Sequence, residues 1–240
     1  MVSVESLRSL PFEAFIAELD SRSARISPNS QRTPEQLYAD YLRGEIDFVE
    51  VDGVLKRYTR AVYIDVYYQV ADGRRFILEE QRGRLNEGKT IDSYLDGDTD
   101  AVSFRPKRIA PPSLSERMHA NERDEDPVVP AIRAVREELF DFALRYNSSD
   151  QFEDLEEQIR MYLYGHTPFS KEYDSNDPQN SYQGIPSIVA ISPFEIVFNQ
   201  DSHVPIHVDS QGIPQPLIEY YDQRGYVNVF QWREIPNSPV

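Results

Sequence analysis

A run of alternating residues from Arg57 to Val70 sets the tightest limit on what this chain can fold into. Val62, Ile64, Val66, Tyr68 and Val70 alternate with Tyr63, Asp65, Tyr67 and Gln69. Successive side chains of an extended chain point to opposite faces, so the alternation specifies a half-buried β-strand. Asp72-Gly73 follows at once, a dipeptide suited to a tight reversal. Phe76-Ile77-Leu78 then return as the partner strand, ending in Glu79-Glu80-Gln81-Arg82-Gly83. The sequence therefore predicts a β-hairpin, and the fold must supply a sheet around it.

The other segments add helices. Residues 5–22 carry Leu7, Leu10, Phe12, Phe15, Ile16 and Leu19 at helical spacing. Thr33-Pro34-Glu35-Gln36 opens a second helix. Threonine caps the first turn, and proline is tolerated where its missing N–H has no partner anyway. Gly44 is expected to end that helix. Pro127 to Arg145 is the strongest helical pattern, with Val128, Ile132, Val135, Leu139 and Phe142 on the apolar face. An acidic helix is expected over Gln151 to Leu163. Residues 83–127 and 166–181 read as polar loops. Residues 185–198 read as one or two strands interrupted by Pro193, and Tyr226 to Trp232 alternates as a last strand. No strict strand–helix–strand rhythm runs through this order. It predicts an α+β fold of α/β/α type, a mixed β-sheet flanked by helices. Residues 1–50 are expected as a helical N-terminal extension and 51–240 as the main domain.

Composition narrows the function classes. With 40 % apolar residues in 240, the chain can bury a substantial core. Its 41 acidic residues against 25 basic give a net charge of −16, which opposes binding to nucleic acid or an anionic membrane. The chain has no cysteine, which excludes disulfides, thiolate metal sites and thiol nucleophiles. Met1-Val2-Ser3-Val4-Glu5 lacks the basic-then-apolar pattern of a signal peptide. No stretch approaches the ~20 apolar residues of a membrane helix. A cytoplasmic protein is expected. Nothing in the pattern specifies its oligomeric state.

The chemical question falls on the helix at 127–145, which holds Arg133, Arg136, Glu137 and Glu138. Helical geometry groups Ala134, Glu137 and Glu138 on one patch. Paired carboxylates facing a loop suit a hard cation such as Mg²⁺, which takes oxygen ligands and keeps water and substrate phosphate for the rest.

Here the sequence resembles the Nudix hydrolase family. The family motif has a glycine, an upstream glutamate, and then Arg-Glu-apolar-any-Glu-Glu-any-Gly-apolar. At the family's spacing the arginine falls on Arg133, the apolar position on Val135, the paired glutamates on Glu137 and Glu138, and the upstream glutamate on Glu125. The hairpin before it stands where the family places one. The departures are His119 at the first glycine, Ala134 at the glutamate after the arginine, and Phe140 and Asp141 at the closing positions. The resemblance covers roughly residues 55–145. It implies Glu137 and Glu138 as catalytic metal ligands for Mg²⁺ or Mn²⁺, with Glu125 and Arg133 in structural roles. It also implies hydrolysis of a nucleoside-diphosphate-linked small molecule. A carboxylate such as Glu79 or Glu80 would have to replace the one missing at Ala134.

Two functions stand side by side. One is a metal-dependent hydrolase, favoured by Glu125, Glu137 and Glu138. The other is a ligand- or protein-binding, regulatory module, favoured by Ala134 and the missing glycines. Either takes a phosphorylated small molecule or a protein as partner. In the basic loop before the helix, Arg105 and Arg117 are candidate phosphate contacts, with a solvated loop as the alternative. His203 and His207, near Asp201 and Asp209, read as surface loop histidines, since Pro205 blocks a regular helix between them.

Overall fold

The computed structural model describes residues 4–95, 97–104, 114–118, 126–140, 154–204, 206–215, 217–220 and 226–236. It is a mixed α+β fold with a mostly antiparallel sheet and flanking helices. At the N-terminus the single helix expected over 5–22 is broken in two. A 3-10 turn spans Val4–Ser9 and helix α1 spans Phe12–Ser21. Pro11 causes the break: it sits extended at φ −66°, ψ 161° as the cap of α1, and proline disfavours helix in the residue before it. Helix α2 (Pro34–Arg43) forms as expected. Gln36 N–H donates to Thr33 Oγ1 (3.3 Å) while Thr33 N–H donates to Gln36 Oε1 (2.9 Å), a reciprocal capping box. Gly44 closes the helix at φ 79°, a left-handed conformation that glycine adopts freely.

The alternating run becomes strand β2 (Val54–Gln69), joined by hairpins to β1 (Asp47–Val51) and β3 (Arg75–Leu85). Asp52 and Gly53 turn the first hairpin, both at positive φ (53° and 76°), as a two-residue reversal matching strand twist requires. Along β2 the buried side shifts by one residue. Leu55, Arg57, Thr59 and Ala61 are buried, and then Val62, Ile64, Val66 and Tyr68.

The loop expected over 83–127 proves structured where it is described. β3 runs on to Leu85, followed by helix α3 (Ile91–Leu95), a 3-10 turn Thr99–Ala101, and strands β4 (Val102–Phe104) and β5 (Leu114–Met118). Gly83 makes this possible. A Cβ there would meet Val102 Cγ1 at 2.5 Å, so only glycine admits β4 so close to β3. Helix α4 (Val128–Val135) passes into a π-helical turn, Arg136–Phe140, and helix α5 spans Leu155–Tyr162. The strands that follow are β6 (Leu163–Gly165), β7 (Phe169–Tyr173), β8 (Ser187–Asn199), β9 (Leu217–Tyr220) and β10 (Tyr226–Ile235). β7 replaces part of the loop expected over 166–181. β8 is one strand despite Pro193. β7 pairs with it up to Ile191 and β6 from Phe194, so the proline's missing N–H falls in the gap between partners.

Strand order is β6-β8-β2-β3-β10-β9, with β1 and β5 joined to β2, β4 to β3 and β7 to β8. The chain divides into two compact units. The first comprises Met1–Val62, Glu116–Pro130 and His166–Pro193. Its core gathers Leu7, Phe15, Leu19, Leu37, Tyr41 and Phe48, with Phe15 stacked on Tyr41 at 5.4 Å. Burying each such side chain contributes about 1.5–3 kcal/mol. The second comprises Tyr63–Ser115, Ala131–Gly165 and Phe194–Val240. There β3 pairs with β10 from Arg75↔Ile235 to Arg84↔Tyr226, and Phe140 meets Phe198 at 5.8 Å. Among the described residues no helix is long and apolar enough to cross a membrane.

Candidate functional site

The helix that carries the motif resemblance is packed on one side and open on the other. Ala131, Ile132, Ala134, Val135, Leu139 and Phe140 are buried, Ala134 at 1 % exposure. Glu137 and Arg136 are exposed, and Arg133 is half-buried. The patch expected from α-helical spacing is thus divided: Ala134 faces the core of its unit and Glu137 faces solvent. The π-helical turn contributes, because from Arg136 onward successive turns no longer follow the spacing that placed these residues together. The side chain of Glu138 and all of Glu125 and Arg105 lie outside the described residues. Arg136 is ion-paired with Glu156 of α5. Glu79 is held by Arg233 at 2.8 Å. Among the described residues no three histidine, aspartate or glutamate side chains gather to hold a metal, and Ala134 offers no oxygen ligand. His203 and His207 are exposed. Asp209 accepts the N–H groups of Gln211 (2.8 Å) and Ile213 (2.9 Å), so it shapes a turn.

Comparison with protein-family models, with curated proteins and with solved structures gave no match. The site therefore has to be read from its own geometry.

Several buried polar residues gather in the first unit, around Arg57. This arginine is 4 % exposed, on the same side of β2 as Leu55 and Ala61. Its Nη1 donates to Thr59 Oγ1 at 3.4 Å and its Nη2 to Asn180 Oδ1 at 3.5 Å, both long. The guanidinium lies 5.1 Å from the centre of the Tyr182 ring. Among the described residues its Nε donates to no group and no carboxylate comes within ion-pair distance. Burial lowers its pKa to about 10, and the neighbouring positive charge of Arg117 adds to the effect.

Residues 174–185 form the lid of this constellation. Asn180 is 1 % exposed and ties the segment together. Its Nδ2 donates to Ile185 O (2.7 Å) and Asp174 O (3.3 Å), and its Oδ1 accepts from Tyr182 N–H (3.2 Å). Gly184 stands at φ 97°, where an added Cβ would lie 2.0 Å from Arg25 O. The Tyr182 hydroxyl donates to the buried carboxylate of Asp40, which is ion-paired with Arg43 and with Arg117 (3.4 Å). Arg117 also reaches Glu45 at 3.3 Å. Burial raises the Tyr182 pKa, and the bond to Asp40 raises it further.

Of the two arginines singled out as phosphate contacts, Arg117 is therefore engaged by two carboxylates. Sequence reasoning missed Arg57, Asp40, Asn180 and Tyr182. One signal existed: Arg57 shares strand parity with Leu55, Thr59 and Ala61, a charged residue in an otherwise buried phase.

Proposed function

We propose that the chain is a Nudix-like binding or regulatory module without catalysis, in which α4 and its π-helical turn serve as scaffold. The observation that carries this reading is the burial of Ala134 at 1 % exposure, among core side chains and away from the exposed Glu137. A carboxylate at that position would be buried without a partner, not added to a metal patch. The module takes a phosphorylated small molecule or a protein as partner and works in the cytoplasm. The net charge of −16 supports a partner other than nucleic acid.

Ala134→Glu tests the reading. It is expected to destabilise the protein by about 3–5 kcal/mol, the scale of an uncompensated buried charge. Calorimetry is expected to show no gain in Mg²⁺ or Mn²⁺ affinity. The wild-type protein is expected to release no phosphate from nucleoside-diphosphate-linked substrates with either metal. Turnover that disappears in Glu137→Gln would replace this reading with the second one, a Mg²⁺- or Mn²⁺-dependent hydrolase using Glu137 and Glu138. The observation on that side is the π-helical turn over Arg136–Phe140, since such turns recur at functional sites.

A further inference from the structure

Buried arginines are almost always paired, because an uncompensated charge away from water is strongly unfavourable. Arg57 breaks that rule within a side-chain arrangement that has a direction. Its Nη1 is directed to Thr59 and its Nη2, at 3.5 Å, to Asn180. That leaves Nε with no acceptor among the described residues. The Nε–Nη2 edge is one of the two faces a guanidinium offers a carboxylate for a paired, two-bond contact.

A second orphan stands beside it. Ser187 is 0 % exposed, and among the described residues its Oγ has no hydrogen-bond partner. The Arg57 N–H donates to Pro186 O at 2.9 Å, which brings Ser187 alongside Arg57 on the neighbouring strand. Ser187 is also directly opposite Tyr173 in the β7–β8 pair, so these two side chains share a face. The Tyr173 phenol is near enough for the Arg57 charge to act on it. Guanidinium and serine hydroxyl therefore lie side by side on neighbouring strands of one unit, with Tyr173 opposite Ser187 and with Asn180 and Tyr182 against Arg57.

An orphaned Nε alone does not make a site. Arg75 in the second unit has one too, but Glu195 neutralises its charge at 2.6 Å. Arg57 differs in having no carboxylate within ion-pair distance among the described residues and in having a second donor, also unused there, beside it.

We propose that Arg57 and Ser187 form the anchor of a binding site for a carboxylate group on a small organic acid. The carboxylate accepts two hydrogen bonds from the Nε–Nη2 edge of Arg57 and one from Ser187 Oγ. The site is distinct from the motif-bearing helix, so it stands whether or not the scaffold reading of that helix does.

The test uses the full chain with acetate as probe and chloride at equal ionic strength as control. Arg57 Nε–H is followed by NMR and the thermal midpoint by calorimetry. Saturable binding that shifts the Arg57 Nε–H resonance and raises the midpoint is expected with acetate and not with chloride. Ser187→Ala, which removes a hydroxyl that bonds to nothing, is expected to fold normally and weaken acetate binding about tenfold or more, the worth of one hydrogen bond to a charged group. Arg57→Gln is expected to abolish it. Equal responses to acetate and chloride, or acetate affinity unchanged in Ser187→Ala, would overturn the proposal. Inorganic phosphate binding tighter than acetate at the same resonance would overturn the assignment to a carboxylate.

Discussion

Arg57 and Arg75 are both arginines beside tyrosine rings, and the two units treat them in opposite ways. Arg75 lies 3.9 Å from the centre of the Tyr67 ring and is paired with Glu195 at 2.6 Å, its side chain 37 % exposed. Its charge is balanced and partly hydrated. Arg57 lies 5.1 Å from the Tyr182 ring, is buried, and meets only neutral oxygens. The nearest carboxylate of that cluster, Asp40, is spent on Tyr182, Arg43 and Arg117. Natural proteins accept lower stability where function needs a strained or unpaired group. The contrast therefore separates an arginine that holds structure from one that is held ready.

Four measurements bear on that contrast. The largest effect is expected at Asp40. Asp40→Ala takes the acceptor from the Tyr182 hydroxyl and one of two carboxylates each from Arg43 and Arg117, which leaves the Arg117 charge less balanced near Arg57. A loss of about 3–5 kcal/mol is expected by chemical denaturation, and a loss below about 1 kcal/mol would mean the cluster is not a buried network at all. Next comes Asn180→Ala, which deserts Ile185 O, Asp174 O and Tyr182 N–H together. It should destabilise by about 1–3 kcal/mol, with faster proteolysis in the segment 174–185.

The sharpest comparison is smaller. Arg75→Met is expected to destabilise by about 1 kcal/mol, from an exposed ion pair and a ring contact. Arg57→Met should be neutral or stabilising, because methionine removes a buried charge that no carboxylate balances. If Arg57→Met proved the more damaging of the two, Arg57 would be the arginine that holds structure.

The smallest effect is a pH dependence. Burial raises the Tyr182 pKa above its ordinary value. An acid with a raised folded-state pKa binds its proton more tightly when folded. Its stabilisation is complete below about pH 10 and is lost as pH rises above that, where the unfolded phenol ionises first. Arg57, lowered to about 10, works the other way: between there and its ordinary range, rising pH relieves its burial. Tyr182→Phe should therefore flatten the alkaline loss of stability, read from denaturation midpoints across that range. A steeper alkaline loss in the variant would reverse the assignment.

Several features of the fold were legible because they depend on neighbours in sequence. Alternation alone marked β2, Asp72-Gly73 marked its reversal, and Thr33 and Gln36 marked the start of α2. β1, β7 and β9 were not legible. They are 5, 5 and 4 residues long, too short for alternation to stand out, and they exist because longer strands offer them an edge. Pro193 left one strand or two open for the same reason. Its effect on β8 depends on which residues of β6 and β7 pair around it.

The candidate site divides along the same line. Sequence determined that Glu137 is polar and helical, and that Arg57 lies on a strand. It could not determine that Ala134 and Glu137 part, one into the core and one into solvent, because the π-helical turn from Arg136 onward shifts the count that α-helical spacing assumes. Nor could it reveal the burial of Arg57. Its partner Asn180 is 123 residues away, and Tyr182 is 142 residues from Asp40. Periodicity is a local property of the chain and is written in the sequence. Whether a charge is buried depends on which distant segments close over it, and only the tertiary structure decides that.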